Sequence, residues 1–266
     1  MNSIAKNEDL HNSAEVDSDT FEWLLRTGDN VLILSQRLSE WCGKGPVLEE
    51  DMALTNVALD LLGQTRLWLS YAAETEAQDR DEDSIAFLRD AHQFRNVLLV
   101  EQTNGDYAHT LMRQFFFDSW HYFFLQSLLN SSDVRVAEIA EKSIKEVSYH
   151  LRRSGDLLVR LGDGSETSHQ RMQEAADRLW TYTGELFIED PLDQRIAARG
   201  IAALPSGLRE SWTKHVTQVF QQATLKMPAA DAWMQQGGKH GRHTEHLGYL
   251  LAEMQFLQRA YPGAEW

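Results

Sequence analysis

What most constrains this chain is the length of its uninterrupted helical patterning. Apolar residues recur at three- and four-residue steps over long stretches, the period of helices that turn one face inward. Only five prolines interrupt 266 residues. Strand signals are nearly missing, and the single Asn104-Gly105 pair lies between two helical patterns rather than between strands. The pattern predicts an all-α fold.

The first helix is expected from Thr20 to Cys42, with Asp19 or Thr20 as cap and Gly43 as terminator. Its stripe is Phe21, Leu24, Leu25, Val31, Leu32, Leu38 and Trp41. Pro46 introduces a second, Val47 to Glu76, with Met52, Val57, Leu61, Leu62, Leu67 and Tyr71 as its stripe. A shorter helix follows at Ser84 to Asn96, then two long ones at Asp106 to Leu129 and Asp133 to Leu161. After "GDGS" come a helix at Ser168 to Ile188, an irregular connection from Pro191 to Pro205, and a helix capped by Ser206 that runs to Leu225. A Gly-rich loop, Gln235 to Arg242, leads to the last helix, Thr244 to Ala260. Four long helices in two pairs predict a four-helix bundle with additional C-terminal helices. Residues 19–266 read as one domain, preceded by a polar, acidic tail over residues 1–18 that is expected to be disordered.

The net charge of −15 argues against nucleic acid as the main partner, because phosphate binding needs clustered Lys and Arg. The single cysteine, Cys42, excludes an internal disulfide framework and suits a reducing compartment. No apolar run reaches the ~18 residues of a membrane span, and the first residues lack the apolar core of an export signal. A cytoplasmic location is the expectation.

Chemistry is concentrated in two places. The first is "FFFDSWHYFFLQ", residues 115–126, where Asp118 and His121 sit within an apolar run, three residues apart and on one helix face. A buried carboxylate costs several kcal/mol unless it is paired. A bundle with carboxylates and imidazoles at inward positions invites comparison with ferritin-like di-iron sites. These need a Glu from each of two helices and a Glu-x-x-His pair from each of the other two. The literal spacing occurs at Glu8/His11 and Glu166/His169, neither of them mid-bundle. In mid-bundle the chain offers Asp118/His121 on one helix and, on the next, Glu146 with Tyr149 third and His150 fourth. The second helix offers Asn56, Asp60 and Gln64 but no histidine, and the first offers Gln36 and Glu40.

Two readings remain open. In one, Glu40, Asp60, Asp118, His121, Glu146 and His150 form an unusual di-iron site. In the other, which the count favours, Asp118, His121, Glu146 and His150 are a vestigial polar core, and Arg37, Arg113, Lys145 or Arg153 replaces the metal charge. The second place is "GGKHGRHTEHLG", residues 237–248, where a Gly-rich loop meets a helix N-terminus beside cations. Lys239, Arg242 and His243 are candidates there for contact with an anion or a partner, beside the plainer reading of a capped turn at Thr244. The aromatic residues between Phe115 and Phe124 fall all round their helix. The expectation is that additional helices cover half of them and another protein chain the rest.

Four stretches resemble one family: "LSQRLSEWCGKGPVLEEDMALTNVALDLLGQTR", "LLVEQTNGDYAHTLMRQFFFDSWHYFF", "KSIKEVSYHLRRSGDLLVRLGDG" and "GGKHGRHTEHLGYLLAEMQFLQRAYPG". The family is the structural, non-catalytic ferritin-like subunit of the bacterial multicomponent phenylacetyl-CoA epoxidase of phenylacetate degradation, and the resemblance runs from about residue 20 to the C-terminus. It implies a hetero-oligomer with a related catalytic subunit whose di-iron centre activates O2 and epoxidises the CoA-bound aromatic ring. A small bridging subunit and an iron–sulfur flavoprotein reductase fed by NADPH would complete the assembly. This chain would then hold no cofactor and no catalytic residue, and its polar core would be a relic reused for stability. A free-standing ferritin-like homo-oligomer is the further alternative.

Overall fold

The computed structural model describes residues 2–76 and 78–264, with side chains for residues 18–264 other than 77. Among the described residues there are eleven α-helices and no strand: α1 (Asn2–Ser39), α2 (Leu48–Thr75), α3 (Glu82–Phe87), α4 (Leu98–Glu101), α5 (Tyr107–Leu128), α6 (Val134–Gly162), α7 (Glu166–Trp180), α8 (Pro191–Ala198), α9 (Arg209–Gln222), α10 (Glu245–Met254) and α11 (Phe256–Ala260). The all-α expectation holds. The tail expected to be disordered falls, but for Ser18, on residues whose side chains lie outside the described set. Among the described residues no helix is long and apolar enough to cross a membrane.

α1 packs along α2, and α5 along α6; these are the two most extensive helix pairings. From Ala108 to His121 α5 is buried on every side, with aromatic residues spread round it. Phe115, Phe116 and Phe117 are inaccessible to solvent. Phe116 lies among Trp180 of α7 and Trp212 and Phe220 of α9, with ring centroids 5.8, 5.9 and 6.0 Å away. The indole N–H of Trp212 donates to the Phe116 carbonyl at 3.0 Å. The aromatic helix is therefore covered largely by the chain's own C-terminal half, and only Tyr107, Tyr122 and Phe123 among its aromatics remain half-buried. The expectation that half of it is left for another protein chain to cover is corrected.

From Trp23 to Ser35 α1 is also buried all round, but one of its faces is polar and binds later segments. Arg195 of α8 reaches back to Asp19 at 2.6 Å. Arg26 donates to Asp190 at 2.7 Å, and Asn30 accepts the Val97 amide at 2.8 Å. Asp29, fully buried, takes both Arg89 and the Arg95 amide, the latter at 2.8 Å. Arg37 donates to the carbonyls of Glu101 and His246, each at 2.9 Å. Asp19 is thus inside the helix as an ion-pair partner and does not cap it.

Several boundaries differ from the periodicity for local reasons. The helix expected over Ser84–Asn96 stops at Phe87, and a separate 3-10 turn follows at Ala91–Gln93, closed by a capping box between Asp90 and Gln93. The connection read as irregular contains α8. Pro191 sits at its first turn, where no amide is needed, and Asp190 and Asp193 cap it reciprocally. Ser206 lies in a 3-10 turn ahead of α9 and caps nothing. On α2 the buried stripe runs through Leu54, Val57, Leu61 and Trp68, while Met52 and Leu62, expected inside, are exposed.

Replacing Phe116 by alanine is expected to lower unfolding stability by about 3–5 kcal/mol, because the packed rings around it cannot collapse into the space. Urea unfolding followed by tryptophan fluorescence measures this; a loss below about 1 kcal/mol would contradict the packing described.

Candidate functional site

Inward positions of α2, α5 and α6 carry polar side chains that meet at the bundle centre. On α5, Gln114, Asp118 and His121 share a face at steps of four and three. Asp118 is inaccessible to solvent and accepts from Gln114 Nε2 at 2.6 Å and from Ser154 Oγ of α6 at 2.8 Å. Across the α2–α6 groove, Gln64 Nε2 donates to Glu146 at 2.9 Å. His150 Nε2 lies 2.9 Å from Asp60, whose side chain is 37% exposed while the imidazole is fully buried. The centre therefore connects to the surface through Asp60 and Glu146.

Burial pushes the Asp118 carboxyl up to about 6, against the lowering influence of nearby His150, Ser154 and Gln114. Burial, with the charge of His150, pushes His121 down to about 3, so its imidazole is neutral at physiological pH. Among the described residues neither ring nitrogen of His121 finds a hydrogen-bond partner; the ring packs on Phe117 at 5.2 Å. Glu40 lies at the end of α1, held by Arg37 at 2.7 Å and Asn104 at 2.8 Å, away from this cluster.

Among the described residues no group of three or more His, Cys, Asp and Glu is placed to hold a metal ion. A pair of irons needs several carboxylates converging with two imidazoles. Here the central carboxylate is bonded by an amide and a hydroxyl, two carboxylates lie at the rim, and Gln64 and Gln114 occupy inward positions where further anions would be needed. The donor set does not fit that group.

The guanidinium replacement expected from the sequence is not at the centre either. Arg37 holds backbone carbonyls, Arg113 holds Gln102 O and Asn104, Arg153 reaches Glu50 and Tyr107, and Lys145 is exposed. The core contacts of Asp118 are neutral donors.

The Gly-rich loop is turned inward. Gly238 and Gly241 run so close to the Asn96 and His92 carbonyls that a Cβ at either would drive into them, and Gly241 also has φ +72°. Lys239 donates to Ile188 O at 2.9 Å and Asp193 at 3.0 Å. His243 lies between Glu101 at 2.7 Å and Phe94 O at 3.0 Å, two acceptors that call for a proton on each ring nitrogen. Burial alone would lower its pKa, but Glu101 and the Phe94 carbonyl outweigh burial and raise it. Two of the three cations expected to face an anion or partner are thus held by carboxylates of this chain; Arg242 is exposed.

Sequence reasoning passed over the residues that organise this loop. Buried Glu101 accepts from Asn96 at 2.9 Å and from the Thr244 amide at 2.6 Å. Buried Glu185 accepts the amides of Leu98 and Gly237, each at 2.8 Å. Each is a lone carboxylate inside an apolar run, "LLVEQ" and "TGELF", and that signal could have marked them.

With the geometry in place, comparison with known proteins gives two findings. A family model described as "Phenylacetic acid catabolic protein" matches residues 1–266. One subunit of the 1,2-phenylacetyl-CoA epoxidase of Escherichia coli (strain K12) is 52% identical over 244 residues, which is 92% of this chain and 98% of that protein.

The Asp118 carboxyl has a folded pKa of about 6, above the ordinary 3.8, so the proton is held more tightly by the folded state. Below pH ~3 the group is neutral in both states; from pH ~4 to ~6 the unfolded carboxyl ionises while the folded one keeps its proton, so stability falls until the folded state buries a charge as well. Wild type is therefore expected to lose about 3 kcal/mol relative to Asp118→Asn between these limits and to change no further above them. Paired urea titrations of the two proteins across pH ~3 to ~8 test this, and a difference independent of pH would refute the buried-acid assignment.

Proposed function

Because the chain belongs to the phenylacetic acid catabolic protein family, we propose that it is the structural, non-catalytic subunit of a phenylacetyl-CoA epoxidase. It pairs with and stabilises a di-iron catalytic subunit in aerobic phenylacetate breakdown. On this reading the fold is a ferritin-like bundle that has kept the helices and given up the site. A small bridging subunit and an iron–sulfur flavoprotein reductase are its further associates, and the assembly is cytoplasmic.

One observation carries the proposal: the inward positions hold amides, a hydroxyl, the two imidazoles of His121 and His150, and a single fully buried carboxylate. A chain descended from a metal-binding bundle can exchange anions for amides only when something other than a metal holds the helices together. Here ordinary packing does so, with Gln64–Glu146 and His150–Asp60 bridging α2 and α6.

The chemistry of oxygen activation on this reading belongs to the partner. What this chain's own residues contribute is shape and rigidity. Asp118, Gln114 and Ser154 fix α5 to α6, while Arg26 and Arg37 fix α1 to the loops of the C-terminal half.

The chain purified alone and incubated anaerobically with ferrous iron is expected to retain far less than one iron per chain after desalting. Co-expressed with the catalytic subunit, it should co-purify in fixed stoichiometry, and omitting it should leave that subunit poorly soluble or inactive. Two tightly held irons per isolated chain, measured by plasma emission, would overturn the reading. So would full epoxidase activity of the remaining subunits in its absence.

A further inference from the structure

Where α1, α5 and α8 meet, the side chains enclose a small cavity of about 40 Å³. Arg26 and Asn30 of α1 form one wall, and Trp120 of α5 a second. Asp193 of α8 closes it together with Glu185 and Lys239 from the segments on either side. Apart from Lys239, Ala203 and Pro205, every lining residue is buried.

The lining carries donors that the chain does not satisfy. Among the described residues, Nε and Nη1 of Arg26 and the indole Nε1 of Trp120 are buried without a hydrogen-bond partner. Both side chains belong to residues more than nine-tenths buried, at 7% and 8% exposure. Arg26 is bonded only through Nη2, which donates to Asp190 at 2.7 Å. Its Nη1 lies 3.5 Å from Asp193 Oδ1, too far for a good hydrogen bond. A buried donor without an acceptor is costly, and a charged one more so. Two such side chains at one cavity call for something that accepts from both.

Size and charge select what that is. A water needs roughly 10–15 Å³ of such space, so the cavity takes about two or three waters and no larger molecule. An anion would face the carboxylates of Glu185 and Asp193, and Arg26 already neutralises Asp190. A cation would face Arg26 and Lys239. An apolar atom would leave the N–H groups as they are. Water accepts from all three donors and has protons left for Asp193 Oδ1.

We propose that this cavity is a water-binding site. About two or three ordered waters accept from Arg26 Nε, Arg26 Nη1 and Trp120 Nε1 and donate onward to Asp193 Oδ1. They tie the aromatic helix α5 to the polar face of α1 and to α8. Trp120, which stacks on Phe124 with ring centroids 4.8 Å apart, is thereby also held through its N–H. The site shares no residue with the Asp118 centre, and it holds whether or not the chain is an epoxidase subunit.

Two measurements on the full chain test the site. A high-resolution crystal structure should show waters ~2.7–3.2 Å from Arg26 Nε, Arg26 Nη1 and Trp120 Nε1. In solution, isotope-labelled tryptophan gives eight indole N–H signals. The Trp120 signal, assigned by its loss in Trp120→Phe, should show a magnetisation-transfer peak to water with the sign of a long-lived bound molecule. Should that variant fail to fold, through-bond assignment of the wild type identifies the same signal.

Pressurised xenon, which enters dry apolar cavities, should not enter this one. Xenon density there, or a Trp120 indole without a water peak, would mean a dry cavity and overturns the proposal. Density for an anion or an organic molecule overturns it too, as does a protein acceptor in place of water on these donors.

Discussion

A helix with bulky apolar side chains spread round its circumference cannot lie at the surface of a bundle, and α5, buried on every side from Ala108 to His121, is such a helix. Its burial needs partners in all directions, and α6 alone supplies only one. The C-terminal half meets this demand. Trp180, Trp212 and Phe220 close over Phe116, while α1 and the residues before α5 cover the rest. α1 then becomes interior as well. It can remain so only because its polar face is matched, at Asp19, Arg26, Asp29, Asn30 and Arg37, by groups from distant segments. The two helices left outermost are α2 and α6: α6 is clearly two-sided, whereas α2 keeps apolar residues on its outer face as well.

The polar centre shows how such a bundle holds an inward carboxylate without strong counter-charge. A guanidinium would have neutralised Asp118 by two parallel bonds, at the cost of placing a second charge out of water. The chain uses an amide and a hydroxyl instead, and burial shifts the carboxyl toward its neutral form. Arg37 and Arg113 are occupied by backbone carbonyls at the bundle ends, where they satisfy acceptors that helix termini leave open, and Arg153 is held by Glu50 and Tyr107. Charge in this protein is concentrated where segments join.

The long helices were legible because their apolar period persists over many turns, and periodicity needs no knowledge of the partner. Its limit shows on α2. Met52 and Leu62 fit an apolar stripe as well as Leu61 and Trp68 do, and when both faces are apolar the period cannot say which one meets the core. Pro191 read as an interruption because proline breaks helix interiors; the reciprocal cap from Asp190 and Asp193, visible in the same few residues, marks it as a first turn. Asp118 and His121 were rightly singled out as polar groups inside an apolar run, but Gln114 and Ser154, the residues that satisfy Asp118, were not. Lys239 and His243 looked like free cations for a different reason. Their partners, Asp193 and Glu101, are remote in sequence, so only the fold brings them together.

The same remoteness gives the fold an order in time. Arg37 lies in the first helix, yet one of the carbonyls it holds belongs to His246, 209 residues later. The α1–α2 pair can zip locally, but Arg37 keeps its guanidinium in water at that end of the bundle until α10 has been made and brings the His246 carbonyl to it. The end of α1 is thereby sealed by a segment more than two hundred residues away, and α1 and α10 must both be in place before that cluster closes.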